Sequence, residues 1–344
     1  MKKVKRIVAS LLAAGLILSA TACNKVGSWA IKQEDFEVPV GAYIMYLYSA
    51  YVNASSQVAD TSASPLGQKV EDTDATQWII NEALSSSAEL IALHNMCKTA
   101  NIALTNEEKS SIQSSVDNNW DTNGDVYNAM GVSKESLKTM SEYTALSKKL
   151  FQSIYGEGGA KAVATADIEK YYYEHYTTFK YISVSLKDSS GNAFSQEDKD
   201  KTKADLQKYL DSYLAGKTFS EVTNDYNAAH PNATVTGREV VTDLEVAGYT
   251  EELTKALKDL KAGEGTVVTS GSYMYLLFKY DITKEKTYLD ENKSTVLTGM
   301  KGDEFNASID EEVKKVVYEK NDGAINKYSP SWLEGVIRAN AASD

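Results

Sequence analysis

The sequence predicts an α+β fold, largely helical, with a small antiparallel sheet in its second half. Three observations carry this. The stretch VATADIEKYYYEHYTTFKYISVSL, residues 163–186, reads as a helix running into a strand, and SYMYLLFKYD, residues 272–281, reads as its return strand. Long runs with helical apolar spacing and no proline precede both. In the first stretch Thr165 can cap a first turn and Asp167 suits the positive helix end, so the spacing predicts a helix to Thr178. From Phe179 the period becomes two, with Phe179, Tyr181, Ser183 and Ser185 on one face and Ile182, Val184 and Leu186 on the other.

At the N-terminus, Lys2, Lys3, Lys5 and Arg6 precede the apolar run IVASLLAAGLILSA, the pattern of an export signal over residues 1–22. Ala20-Thr21-Ala22-Cys23 resembles a bacterial lipoprotein processing box, which implies cleavage before Cys23 and a lipid on its thiol. Ala20 stands where that box usually has Leu, and Ala20-x-Ala22 also suits ordinary signal peptidase. The expected location is extracytoplasmic, anchored to the outer face of the bacterial cell membrane. Loss of the signal's four cations takes the formal net charge from −12 to −16, which argues against nucleic acid as a partner. Cys97 is the other cysteine, on an apolar stripe, so no internal disulfide forms once Cys23 is acylated.

Residues 23–39 read as a lipid-anchored tether and extended segment, and VGAYIMYLYSAYVNA, residues 40–54, as an apolar helix carrying Tyr43, Tyr46, Tyr48 and Tyr51. Such a helix suits a core, or an aromatic surface facing a client chain. The Ser-, Ala- and Asp-rich stretch 54–73 reads as an exposed loop. Asp74 then caps a helix to about Ala100, with Ile79, Ala83, Ser86, Leu90, Leu93 and Cys97 on one stripe. Thr105 and Glu108 form a capping box for the next helix. Asp121-Thr122-Asn123-Gly124-Asp125 reads as a turn, since Val126 and Val132 occupy the EF-hand positions that need Gly and Glu. Ser133 caps a helix to about Tyr155, and Gly156-Glu157-Gly158-Gly159 forms a hinge.

Between the two strands come a polar helix from Ser195 to Ala215, the short helix FSEVTNDYN opened by Gly216-Lys217-Thr218-Phe219, a long loop, the helix YTEELTKALKDL and the turn KAGEG. In order and in phrases such as "GKTFSEV", "ALKDLKAGE" and "YMYLLFK", this third of the chain resembles a parvulin-type peptidyl-prolyl isomerase domain. The phrase "ANIALTNEEKSSI" resembles the helical chaperone portion of SurA- and PrsA-like foldases. The paired resemblance implies a helical lobe made discontinuous by a parvulin-like insert: 40–178, then 179–283, then 284–344 returning as a helix and tail. In that last part Val296, Met300, Phe305, Ile309, Val313 and Val316 mark the helix, and Trp332, Leu333, Val336 and Ile337 form a docking hook.

Parvulins carry a histidine on the first strand and another on the last, inside an apolar proline pocket. Here Ser183 takes the first position and, by ungapped matching of Tyr273–Lys279, Leu276 the second. The family's pocket Met and Phe fall on Tyr249 and Leu253, and HPNATVTGREVVTDLEV replaces its glycine-rich segment. The resemblance therefore implies a cup of Phe179, Tyr181, Ser183, Tyr249, Leu253, Tyr273 and Leu276 that holds an extended apolar segment. Isomerisation requires only tighter binding of the twisted bond than of the planar one, so Ser183, Tyr181 and Tyr275 are its candidate catalytic groups.

Other chemistry finds no pattern. Gly216-Lys217-Thr218 has Asp211 where a phosphate loop needs glycine, and His94, His175 and His230 lack metal-ligand spacing. No cofactor and no metal are expected. The leading expectation is a lipid-anchored foldase or holdase for unfolded or emerging secreted proteins, with isomerase activity weak or lost. The alternatives are an active parvulin-type isomerase and a solute-binding lipoprotein of a transporter; the last class shows repeated βαβ units, which this chain lacks. Oligomeric state is not legible.

Overall fold

A computed structural model describes residues 28–231, 235 and 237–341. Residues 1–22 and Cys23, with the expected signal and lipid site, lie outside the described residues. The chain opens on a hairpin, β1 (Trp29–Gln33) and β2 (Phe36–Pro39), whose Ala30, Ile31 and Val38 are fully buried. Helix α1 (Val40–Gln57) follows directly. A two-stranded hairpin, β3 (Lys69–Val70) and β4 (Thr73–Asp74), then leads into α2 (Ala75–Thr99), with Asp74 accepting from the Gln77 N–H as expected. Residues 54–73, expected as loop, thus contain the last turn of α1 and most of this hairpin.

Helix α3 (Asn106–Ala129) starts at the Thr105–Glu108 capping box, in which each side chain binds the other residue's backbone N–H. It runs straight through Asp121–Asp125, correcting the expected turn. Asn123 donates to Asn119 and Thr122 to the Asn118 carbonyl, and Gly124 lets the Trp120 ring lie against the helix where a Cβ would meet it at 2.9 Å. Helix α4 (Lys134–Tyr155) is capped by Ser133, whose Oγ accepts from the Ser136 N–H at 3.1 Å.

The next segment carries α5 (Thr165–His175), β5 (Tyr176–Ser185), α6 (Gln196–Leu214), α7 (Phe219–Ala229), β6 (Arg238–Asp243), α8 (Glu251–Asp259), β7 (Gly265–Ser270) and β8 (Tyr273–Tyr280). Helix α5 is preceded by Ala164 rather than capped by Thr165, and it ends at His175, three residues before the expected Thr178. The cause is tertiary: Tyr176, Thr177 and Thr178 already pair with Asp243, Thr242 and Val241 of β6, and β-branched threonines suit a ladder better than a helix end. Strand β6 lies inside the expected long loop, and β7 lies between the expected turn KAGEG and the expected return strand. The sheet order is β6-β5-β8-β7, antiparallel throughout, and Gly271, at φ +57°, turns β7 into β8.

Helix α9 (Lys286–Val313), kinked at Asn292, leads to β9 (Glu319–Lys320), α10 (Asp322–Lys327) and α11 (Pro330–Ala341). Two compact units result. The first joins the described residues up to Ile154 with those from Glu304; the second is Tyr155–Asp303. In the first, β9 completes a sheet of order β2-β1-β9, and Trp332 of α11 packs on Ile44, Met45, Val116, Val132 and Leu137. Tyr43 and Tyr51 of α1 are buried, which makes α1 a core helix. Cys97 is buried and burial raises its thiol pKa.

The second unit extends beyond 179–283 because α5 and the start of α9 pack with its sheet. Tyr172 donates to the Glu285 carbonyl at 3.1 Å, and its ring stacks on Tyr288. The fold is α+β, with helices predominating over small antiparallel sheets.

Candidate functional site: an aromatic sheet face

The alternation read in β5 sorts the unit's core into two layers. Ile182 and Leu186 face Met274, Leu276 and Phe278 of β8 and the residues Leu206, Leu210, Val222 and Tyr226 of α6 and α7. Phe179 faces the other way, into a layer with Leu244, Leu253, Leu257 and Leu277 that α8 closes. Leu253 is buried there, so α8 fills the end of the cup the resemblance implied.

Beyond α8 the same face opens. Along β8, Leu277 is fully buried, Tyr275 half-buried and Tyr273 46% exposed; along β5, Phe179 is buried and Tyr181 and Ser183 half-buried. The Tyr181 and Tyr275 ring centres lie 5.9 Å apart, Tyr275 and Tyr273 6.2 Å, and Phe179 sits 5.9 Å from Tyr181 and edge-on to Tyr249 at 6.2 Å. The hydroxyls of Thr250 and Ser270, 2.6 Å apart, tie the start of α8 to β7. Burial, then the neighbouring phenols, raises the pKa of Tyr249 and of Tyr275. These two rings therefore stay neutral across ordinary pH.

Of the expected site residues, Phe179, Tyr181, Ser183, Tyr249, Leu253 and Tyr273 share this face, and so does the catalytic candidate Tyr275. Leu276 does not. It pairs with Ile182, is fully buried and points into the helix-packed layer, because it lies one residue out of phase with Ser183 in strands of period two. The residue across from Ser183 is Tyr275. Val268 of β7, across from Tyr275, also borders this face; TVVTS, between the turn KAGEG and the return strand, carries too short an alternation to mark a strand.

Two clefts of the unit lie elsewhere. One, of about 320 Å³, is bordered by Tyr173, His175, Thr177, Lys258 and Lys279; Lys279 Nζ donates to the Leu257 carbonyl at 2.7 Å, and burial lowers its pKa. The other, of about 660 Å³, is bordered by Lys180, Tyr213, Leu214, Phe219 and Tyr280; Lys180 pairs with Glu239 at 2.9 Å and lies 5.2 Å from the Tyr280 ring centre. Among the described residues no group of three or more His, Cys, Asp or Glu side chains is placed to hold a metal ion.

Chemically, the open face offers aromatic surface with hydroxyl tips and no charge among its tyrosines and Ser183. It can hold apolar or extended polypeptide through ring contacts, each worth about 0.5–1.5 kcal/mol beyond area burial.

No protein-family model matches the chain, and no curated protein matches its sequence. Solved structures do. The foldase protein PrsA from Streptococcus pneumoniae str. Canada MDR_19A is 16% identical, with 88% of this chain and 98% of that chain covered at a TM-score of 0.38. The foldase protein PrsA from Lactococcus lactis is 12% identical over 88% of this chain and 100% of that one, at a TM-score of 0.37. A peptidylprolyl isomerase (PrsA) from Bacillus cereus is 16% identical over 76% and 95%, at a TM-score of 0.29. The chain is thus similar to solved PrsA foldase structures, at low identity and low superposition scores.

Proposed function

We propose that the chain is an extracytoplasmic foldase of the holding type, which binds unfolded or emerging secreted polypeptides on the open aromatic face of its four-stranded sheet. The observation that carries this is the graded strip Phe179, Tyr181, Tyr275, Tyr273, buried at one end and open at the other, with Tyr249 beside it. A scaffold strand would end its aromatic run where burial ends. Here the run continues past the buried Phe179 through the half-buried Tyr181 and Tyr275 to Tyr273, which is 46% exposed. Contacts of this kind are weak, sequence-tolerant and easily reversed, as holding requires.

Neither strand position that carries a histidine in parvulins carries one here, with Ser183 opposite Tyr275, so isomerase activity is weak or lost in this reading. The lipid on Cys23 and the location on the outer face of the cell membrane belong to the same proposal and rest on residues 1–23 of the sequence.

The full chain, incubated without ATP with a chemically unfolded client, should suppress the client's aggregation. Tyr181→Ala/Tyr275→Ala should lose that protection while staying folded. Protection unchanged in the folded variant removes the reading. A protease-coupled assay on X-Pro peptides decides the isomerase question separately: a rate above buffer that falls in Ser183→Ala would restore it. Mass spectrometry of the membrane fraction, with Cys23→Ala as the released control, tests the anchor.

A further inference from the structure

The two edges of the four-stranded sheet differ. Edge strand β6 reads Arg-Glu-Val-Val-Thr-Asp and carries three charges, with Glu239 paired to Lys180. Charges of that kind discourage another chain from pairing. Edge strand β7 reads Gly-Thr-Val-Val-Thr-Ser: no charge, no proline, and four β-branched residues in six. Its inner side is laddered to β8. Among the described residues no backbone hydrogen bond leads from 265–270 to anything else, so the outward N–H and C=O groups of alternate residues have no protein partner. A charge-free, partnerless edge is unusual on a chain of formal net charge −12, and it is the kind of edge that accepts a strand.

We propose that β7 is a strand-accepting edge, on which an extended, uncharged segment of an unfolded polypeptide pairs as a fifth strand. This rests on the holding function proposed above and supplies its geometry. The register places Val268 beside Tyr275 and Ser270 beside Tyr273, so every second side chain of an added strand falls beside Val268 and Ser270 of β7, one strand removed from the tyrosines of β8. The intervening side chains fall on the face of Val267, which packs with the α6 and α7 layer. Backbone pairing is indifferent to sequence, and Val267 and Val268, on the two faces of β7, favour apolar residues beside them. A second copy of this chain is the disfavoured occupant, because it brings the same net negative charge to the edge.

The test uses the full chain and three probes of one sequence. The parent is an acetylated, amidated decapeptide of alternating Val, Thr and Tyr. One isomer carries N-methyl groups on alternate residues, which leaves one backbone edge free. The other carries the same number distributed over both edges. Side chains are identical, so contacts with the tyrosine face are held constant. The one-edge isomer should bind within about twofold of the parent. The two-edge isomer should bind at least tenfold more weakly, since each lost hydrogen bond is worth about 2- to 12-fold. The parent should also slow amide exchange within 265–270. Equal binding of both isomers overturns the edge proposal, and if Tyr181→Ala/Tyr275→Ala then weakens all three probes alike, the tyrosine-face reading stands alone. Sedimentation showing a dimer that the parent peptide dissociates also overturns it, by assigning the edge to a second copy.

Discussion

Ser183 and Tyr275 pair across the two central strands of the sheet, while Leu276, one residue further on, pairs with Ile182 on the opposite face. This single step in register separates the residues of the open aromatic face from those that hold the domain together.

The separation predicts two kinds of variant. Tyr181→Ala/Tyr275→Ala removes half-exposed rings, so its cost to stability should be modest, about 1–2 kcal/mol, while protection of an aggregating client falls at least threefold. Urea unfolding and light scattering on the same preparations check the two halves.

Leu276→Ala should behave in the opposite way. The side chain is fully buried among Ile182, Phe278 and the α6 and α7 residues, and deleting it leaves a cavity costing about 2–5 kcal/mol. Protection per folded molecule should not change. A selective loss of client binding in a stable Leu276→Ala protein would place that residue in the binding surface after all.

Gly41→Ala should reverse the usual helix preference. In an open helix that change gains up to about 1 kcal/mol. Here a Cβ on residue 41 would press on the Ser136 side chain and come within 3.2 Å of the Val132 Cα, so α1 and the start of α4 must part. A loss of about 1–3 kcal/mol in urea unfolding is expected. Gly41→Ala/Ser136→Gly should recover part of it, a non-additivity that identifies the contact as the cause.

His94 sets a pH dependence in the first unit. Its ring stacks on Phe36 with centres 4.5 Å apart, and Nδ1 lies 2.8 Å from the Tyr143 hydroxyl. Burial first, and the Lys98 charge second, lower its pKa below the ordinary value near 6.5, against smaller opposing effects of Asp35 and Glu34. The unfolded chain therefore binds the proton more readily than the folded one. The contribution of His94 to stability is complete above the ordinary value and is lost as pH falls below it toward the depressed folded value. Between pH 7.5 and 5, His94→Gln should lose less unfolding free energy than the parent; equal losses would remove His94 as a cause.

Much of the local structure was legible. The capping box of Thr105 and Glu108, the Asp74 and Ser133 caps and the two faces of β5 are set by residues a few positions apart, and local chemistry decides such features. Where the competing partner is distant, the reading failed. Thr177 and Thr178 belong to the strand because β6, far along the chain, pairs with them. Strands β6 and β7 are short and edge-placed, so neither carries the long apolar alternation that makes a strand visible in sequence.

The sequence by itself determined the long helices, the strands β5 and β8 with the aromatic richness of their shared face, and the export pattern at the N-terminus, because each is written in contiguous residues. Only the tertiary structure decided which residue of β8 stands beside Ser183, that α8 fills one end of the cup, and that β7 is the uncharged edge. Those depend on hydrogen-bond register and on packing between segments many residues apart, and a shift of one residue, invisible in the one-dimensional pattern, exchanges the two faces of a sheet.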